Sequence, residues 1–75
     1  MPKREPVLRK LGQKVREKRE IRNLSQEDLA EHADLDRTYI GGIERGERNP
    51  TIISVLRIAK ALKASVSELC EGIDR

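Results

Sequence analysis

Arg37 and Thr38 are the residues of this 75-residue sequence best placed to do chemistry, because they directly follow Asp36, a residue type that starts helices. A guanidinium held at the start of a helix can form two parallel hydrogen bonds with N7 and O6 of guanine, and a threonine can meet a base edge or a thymine methyl. A contact from Arg37 to a phosphate is the other use of the same charge. The remaining reactive residues combine poorly. Cys70 and His32 are each the single member of their type, so neither a disulfide framework nor a zinc site can be assembled. A catalytic cysteine–histidine pair would need a third orienting group and a pocket, and the sequence suggests neither. Cys70 reads as a small buried hydrophobe and His32 as an exposed helix residue. With no nucleophile, metal cluster or phosphate loop, the expectation is a binding protein. It is expected to be no enzyme, with no cofactor, no metal and no small-molecule substrate.

The elements that must position Arg37 and Thr38 lie between Ser25 and Gly46. Ser25 followed by Asp28 is a helix start, since the hydroxyl accepts from an exposed helical N–H and the acid favours the positive helix end. Leu29, Ala30 and Ala33 then recur at helical spacing, with Glu27, Glu31 and His32 left for the other face. Asp36 caps a second stripe of Ile40, Ile43 and Glu44 that ends at Gly46, where a glycine can take the left-handed closing conformation. A connection of about three residues forces two helices to cross steeply, and Ala30 supplies the small residue such a crossing needs. Leu29, Ala33, Leu35, Ile40 and Ile43 would fill the angle. Arg37, Thr38 and Gly41 are left on the outer face of the second helix, whose width of about 10–12 Å fits the DNA major groove.

Gln26, Ala30, Leu35, Ile40 and Ile43 stand as they do in the helix-turn-helix of the phage lambda repressor-like (Cro/CI, XRE) family, which this sequence resembles from about Leu8 to Leu69, the ERGERNPT run included. The resemblance implies an all-α, compact five-helix domain with a central helix-turn-helix. It also implies a sequence-specific regulator of transcription that binds double-stranded DNA as a homodimer on a near-palindromic operator. The RTYIGGIERGERN run looks like the small controller proteins of restriction-modification systems. Two features depart from the family pattern. Asp34 stands where glycine is usual in the turn, although aspartate tolerates the left-handed region better than most residues. Gly41 and Gly42 lie inside the recognition helix, each costing about 1 kcal/mol of helix propensity. Gly41 would let the backbone sit deep in the groove, with deformability of the DNA supplementing a few base contacts.

By the same resemblance, Arg19 and Glu44 bridge the first and third helices, Gln26 contacts a phosphate, and Arg48 and Asn49 grip the sugar-phosphate backbone. From the residues alone, Arg19 and Glu44 are opposite charges on two inward stripes, and Arg19 could instead snorkel to solvent. Gln26 at a positive helix end suits a phosphate oxygen, or simply solvent. Tyr39 could place its hydroxyl on a phosphate or brace the following loop with its ring.

Residues 1–6 read as an irregular N-terminal arm and residues 7–75 as one domain. The arm could reach an adjacent groove or stay disordered. The first helix is expected from near Pro6 to about Arg22, with Leu8, Leu11, Val15 and Ile21 inward. Thr51 is expected to cap a fourth helix with Ile52, Val55, Leu56, Ala59 and Leu62 inward, and Ser65 with Glu68 to open a last short one. Ile53, Leu69 and Ile73 are then left over as a candidate dimer seam, unless they close the bottom of the monomer core.

Charge is distributed unevenly: residues 1–22 hold nine Lys/Arg against three Asp/Glu, residues 23–47 two against seven, and residues 48–75 five against three. The acids of the central motif must therefore face away from a duplex, and attraction to phosphates must come from its flanks. Tyr39 is the single aromatic residue, which disfavours a base-stacking, single-strand surface. No stretch approaches the roughly 20 apolar residues of a membrane span, so no membrane partner and a cytoplasmic location are expected. An antitoxin-type interaction module, masking another protein with its apolar tail and binding DNA secondarily, is the competing reading.

Overall fold

A computed structural model describes residues 6–74 and shows five helices. These are α1 (Pro6–Ile21), α2 (Gln26–Ala33), α3 (Arg37–Glu44), α4 (Ile52–Ala61) and α5 (Val66–Cys70). Each start after the first carries a side-chain cap. Ser25 Oγ accepts from the Asp28 N–H while the Asp28 carboxylate accepts from the Ser25 N–H, both at 2.9 Å. Ser65 and Glu68 repeat this capping box, and Thr51 Oγ1 accepts from the Ser54 N–H at 3.1 Å. The arm expected at residues 1–6 lies outside the described residues except for Pro6, which heads α1.

The helix ends are as regular as the starts. Asn23, Asp34, Gly46 and Lys63 all take positive φ just after a helix, and the next N–H turns back to a carbonyl of the helix's last turn. Thus Leu24 donates to Arg19 O, Leu35 to Ala30 O, Glu47 to Gly42 O and Ala64 to Ala59 O, at 2.8–3.1 Å. This left-handed closure satisfies carbonyls that would otherwise be orphaned. The apolar residue that follows (Leu24, Leu35 or Ala64) folds back against the core. Asp34 at φ 56° and ψ 47° therefore makes the turn without a glycine.

Packing joins α1 to α3 and α5, α2 to α3 and α4, and α4 to α5. Leu29, Ile40, Ile43, Ile58, Leu69 and Val15 form the fully buried centre. Gly12 sets the distance between α1 and α3, because a β-carbon there would fall 2.6 Å from Glu44 O and closer still to Ile43 O. The propensity that Gly12 costs α1 is thus the condition for its approach.

Several sequence expectations are corrected here. Leu69 is 1% exposed and belongs to the monomer core, because α5 closes over α1 and α4. Ile73 is partly buried against the same core. Only Ile53 of the three expected seam residues is open to solvent, at 60%. On α4 the inward stripe is Val55, Ile58, Ala59 and Leu62, whereas Ile52 and Leu56 are exposed. Two overlapping stripes at helical spacing share this helix, and contact with α2 and α5 decides which turns inward. Ile21, in the last turn of α1, is 77% exposed.

Candidate nucleic-acid interface

The site is built on a rigid joint between α1, α2 and α3. Arg19 donates from Nε to Glu44 Oε2 at 2.7 Å, from Nη2 to Glu44 Oε1 at 3.1 Å, and from Nη1 to Leu24 O at 2.7 Å. Gln26 Nε2 adds a third bond to the carboxylate, to Oε1 at 3.0 Å. The Glu44 side chain is 3% exposed and that of Arg19 11%. Hydrogen bonding to Glu44 holds the Arg19 guanidinium protonated even more firmly than usual, against the opposing pull of burial. A planar fork meeting a carboxylate through two bonds fixes orientation as well as distance, so the end of α3 cannot rotate against α1.

At its other end α3 is set by Asp36, whose carboxylate accepts from the Thr38 N–H at 3.3 Å. Arg37 and Thr38 project from the first turn and are exposed. Tyr39, one residue on, is half-buried: its hydroxyl donates to Ser54 Oγ at 3.4 Å and its ring carries the Arg48 guanidinium 5.8 Å from the centroid. Ser54 is buried and accepts from Thr51 Oγ1 as well, at 3.0 Å. The ring therefore braces the loop between α3 and α4, with Arg48 lying across it. Arg48 and Asn49 are exposed on that loop.

The two glycines of α3 are not open backbone, which corrects the expectation for Gly41. Both are buried. A β-carbon on Gly41 would lie 3.1 Å from Arg45 Nη1 and 3.4 Å from Gln26 Oε1, and one on Gly42 would lie 2.6 Å from Arg48 Cγ. Arginines from the end of the helix and the following loop thus cover the places where side chains are missing.

The structure therefore gathers Arg37, Thr38, Tyr39, Arg48, Asn49 and Gln26 around α3, with the Arg19–Glu44 pair beneath them. The seam residues stand elsewhere: Ile53 on α4, Leu69 on α5 and Ile73 in the turn that follows α5. Sequence reasoning missed Ser54 and Arg45. Ser54 falls beside Val55 on the inward side of α4, and Arg45 follows Gly41 by four residues, so helical spacing carried both signals. Among the described residues there is no group of three or more His, Cys, Asp or Glu able to hold a metal, and no helix is long and apolar enough to cross a membrane.

Comparison with known proteins gives a consistent picture. Residues 15–69 match the helix-turn-helix family. Control protein C.SmaI of Serratia marcescens is 54% identical over 59 residues, covering 79% of this chain and 70% of that protein. The crystal structure of the restriction-modification controller protein C.AhdI from Aeromonas hydrophila is similar with a TM-score of 0.82 and 48% identity, covering 83% of this chain and 94% of that one. The controller protein C.Esp1396I, solved as a tetramer with its natural 35 base-pair operator, is similar with a TM-score of 0.80 and 41% identity, covering 91% of this chain and 90% of that one. Solved variants of C.Esp1396I are substituted at a consecutive arginine, threonine and tyrosine, the order of residue types that Arg37, Thr38 and Tyr39 have here.

Proposed function

This chain belongs to the helix-turn-helix family, and we propose that it is a sequence-specific regulator of transcription that binds double-stranded DNA as a homodimer on a near-palindromic operator. The observation that carries this reading is the placement of Arg37 and Thr38. Both are exposed on the first turn of a helix whose far end is locked by the Arg19–Glu44–Gln26 joint. A helix held so firmly can present a guanidinium to the major groove with little ordering cost on binding. Arg37 takes guanine N7 and O6, and Thr38 takes a neighbouring base edge or thymine methyl.

The remaining residues position the helix. Gln26 reaches a phosphate with the amide hydrogen that Glu44 does not take, beside the outward N–H groups of the first turn of α2. Arg48 and Asn49 hold the backbone on the other side of α3. The one proton of Tyr39 is given to Ser54, so Tyr39 acts through its ring on Arg48, and a phosphate bond would require it to leave Ser54. The acids of α2 are directed away from the duplex.

Ile52, Ile53 and Leu56 make one exposed apolar face on α4 and replace Leu69 and Ile73 as the seam on which two copies pair. Pairing there would present two recognition helices to successive major-groove faces about 34–36 Å apart. The likeness to control protein C.SmaI and to the restriction-modification controller protein C.AhdI supports reading the chain as a controller of this kind, acting in the cytoplasm by binding and without catalysis.

The test is selection of random duplexes on the purified protein at about 0.15 M salt, the physiological ionic strength, followed by sequencing. A two-fold symmetric site with half-sites one helical turn apart, and loss of one guanine preference on Arg37→Ala, supports the assignment. Salt-sensitive retention with no sequence preference rejects it in favour of an interaction module.

A further inference from the structure

We propose that the groove between the end of α2 and the second half of α4 is a docking site for an acidic helical segment of another protein, a surface separate from the one that reads DNA. His32, Ala33 and Asp34 line it from the end of α2. Arg57, Lys60 and Ala61 line it from α4, and Lys63 from the turn that follows. The groove is open and has a volume of about 450 Å³.

Its cations are not spent inside the protein. Arg57, Lys60 and Lys63 are all exposed, and none takes part in a hydrogen bond or ion pair among the described residues. Asp34 is the one carboxylate of the lining and pairs with none of them. The partial negative charge at the end of α4 accounts for Lys60 in the last turn, but Arg57 stands before that turn, where the effect has faded.

The shape of the groove selects the occupant. Ala33 is buried and Ala61 half-buried, so the lining carries two methyl groups low between its charges and leaves room for another helix to approach. Every charged group of the lining is exposed, so a small anion here would stay largely in water, whereas a ligand pocket covers most of its ligand. Arg57 and Lys60 are separated by about 4.5 Å along α4, at 1.5 Å per residue. Acids three or four residues apart on a partner helix stand about 5–6 Å from each other and match that spacing, whereas same-face acids of an extended strand are about 7 Å apart. A duplex fits less well. The DNA reading uses the opposite ends of the same two helices, since Gln26 begins α2 while Arg48 and Asn49 precede α4. Asp36 caps α3 beside Arg37 and Asp34 lines the groove, so a duplex reaching from one to the other would meet both carboxylates.

The experiment titrates the protein, alone and bound to the selected duplex, with a labelled alanine-based helical peptide carrying glutamates at i, i+4 spacing, and with its glutamine and lysine counterparts. Fluorescence anisotropy is read at about 0.15 M salt. The parent is expected to take the glutamate peptide alone, with or without duplex, and its amide NMR shifts should cluster at Ala33 and Ala61. Arg57→Glu with Lys60→Glu should weaken that peptide by about tenfold or more and admit the lysine peptide, with duplex affinity unchanged. Lys14→Glu with Arg22→Glu, the same charge change on and just after α1, should alter peptide binding by no more than about twofold. Equal losses from the two pairs of substitutions overturn the proposal, since they mean general attraction to a basic protein. Displacement of the peptide by duplex, or weaker duplex binding by the groove variant, overturns it in favour of DNA. A parent that takes no glutamate peptide also overturns it. A parent that takes the peptide at Ala33 and Ala61 but binds no duplex supports the groove and removes the DNA reading instead.

Discussion

Arg19 and Glu44 stand 25 residues apart and meet through two hydrogen bonds, 2.7 Å from Nε to Oε2 and 3.1 Å from Nη2 to Oε1. The pair lies almost entirely inside the protein and joins the last turn of α1 to the last residue of α3. Its energetic importance lies in what remains when one partner is removed. Two charges taken out of water gain little net stability by meeting, but one left behind without its partner is costly.

Glu44→Ala is therefore expected to destabilise the fold by roughly 3–5 kcal/mol through the stranded Arg19 charge. In a domain of this size that is a fall in melting temperature of at least ~10 °C, read by circular dichroism. The apolar double variant Arg19→Met with Glu44→Leu should recover much of the loss. A Glu44→Ala protein melting within a degree or two of the parent would remove the pair from the account of stability.

Gly12→Ala is expected to destabilise despite the better helix propensity of alanine. The added methyl would sit 2.6 Å from Glu44 O and nearer still to Ile43 O, both backbone atoms that cannot move aside. Overpacking of this kind typically costs about 1–3 kcal/mol against the ~1 kcal/mol gained in propensity. Urea unfolding should show a lower midpoint with an unchanged slope, and a raised midpoint would mean that α1 and α3 can separate freely.

Ile53 and Leu69 should behave as opposites. Ile53→Lys is expected to leave the helical spectrum intact while shifting sedimentation equilibrium from dimer to monomer, since Ile53 is 60% exposed on the apolar face of α4. Leu69→Ala should lower stability by about 2–5 kcal/mol through the cavity it leaves in the core. A dimer that survives Ile53→Lys would move the seam off α4.

Acid should weaken the starts of α2 and α5. Backbone and hydroxyl hydrogen bonds from Ser25 hold the Asp28 carboxyl below its ordinary range, and those from Ser65, with help from Lys18, do the same for Glu68. A carboxylate with a lower pKa in the folded state binds fewer protons there than in the unfolded chain. Its contribution is thus complete above the ordinary carboxylate range and is lost as pH falls through the folded value. Urea midpoints measured from about pH 6 down to about pH 2 should fall, and less steeply for Asp28→Asn with Glu68→Gln; identical profiles would show that the caps do not titrate with folding.

The sequence by itself determined where the helices begin and end and where the reading surface lies. Ser25, Asp36, Thr51 and Ser65 are caps whose side chains bond to backbone two or three residues away. Asp34 and Gly46 close helices by local backbone geometry. Such interactions span a few residues, so their signal is contained in a short window, and Arg37 and Thr38 inherit their exposure from Asp36 just before them.

The tertiary structure alone decided which of two apolar stripes on α4 faces inward, that Leu69 is core and Ile53 surface, and that arginines cover the glycines of α3. The physical reason is that burial depends on which other helix arrives at a given face. Val55 and Leu56 are neighbours in the chain and equally apolar, and contact with α2 and α5 makes one interior and leaves the other in solvent. Gly41 likewise looks bare in the sequence, and it is covered because Arg45, four residues on, lies back over it while Gln26 at the head of α2 meets it from another helix.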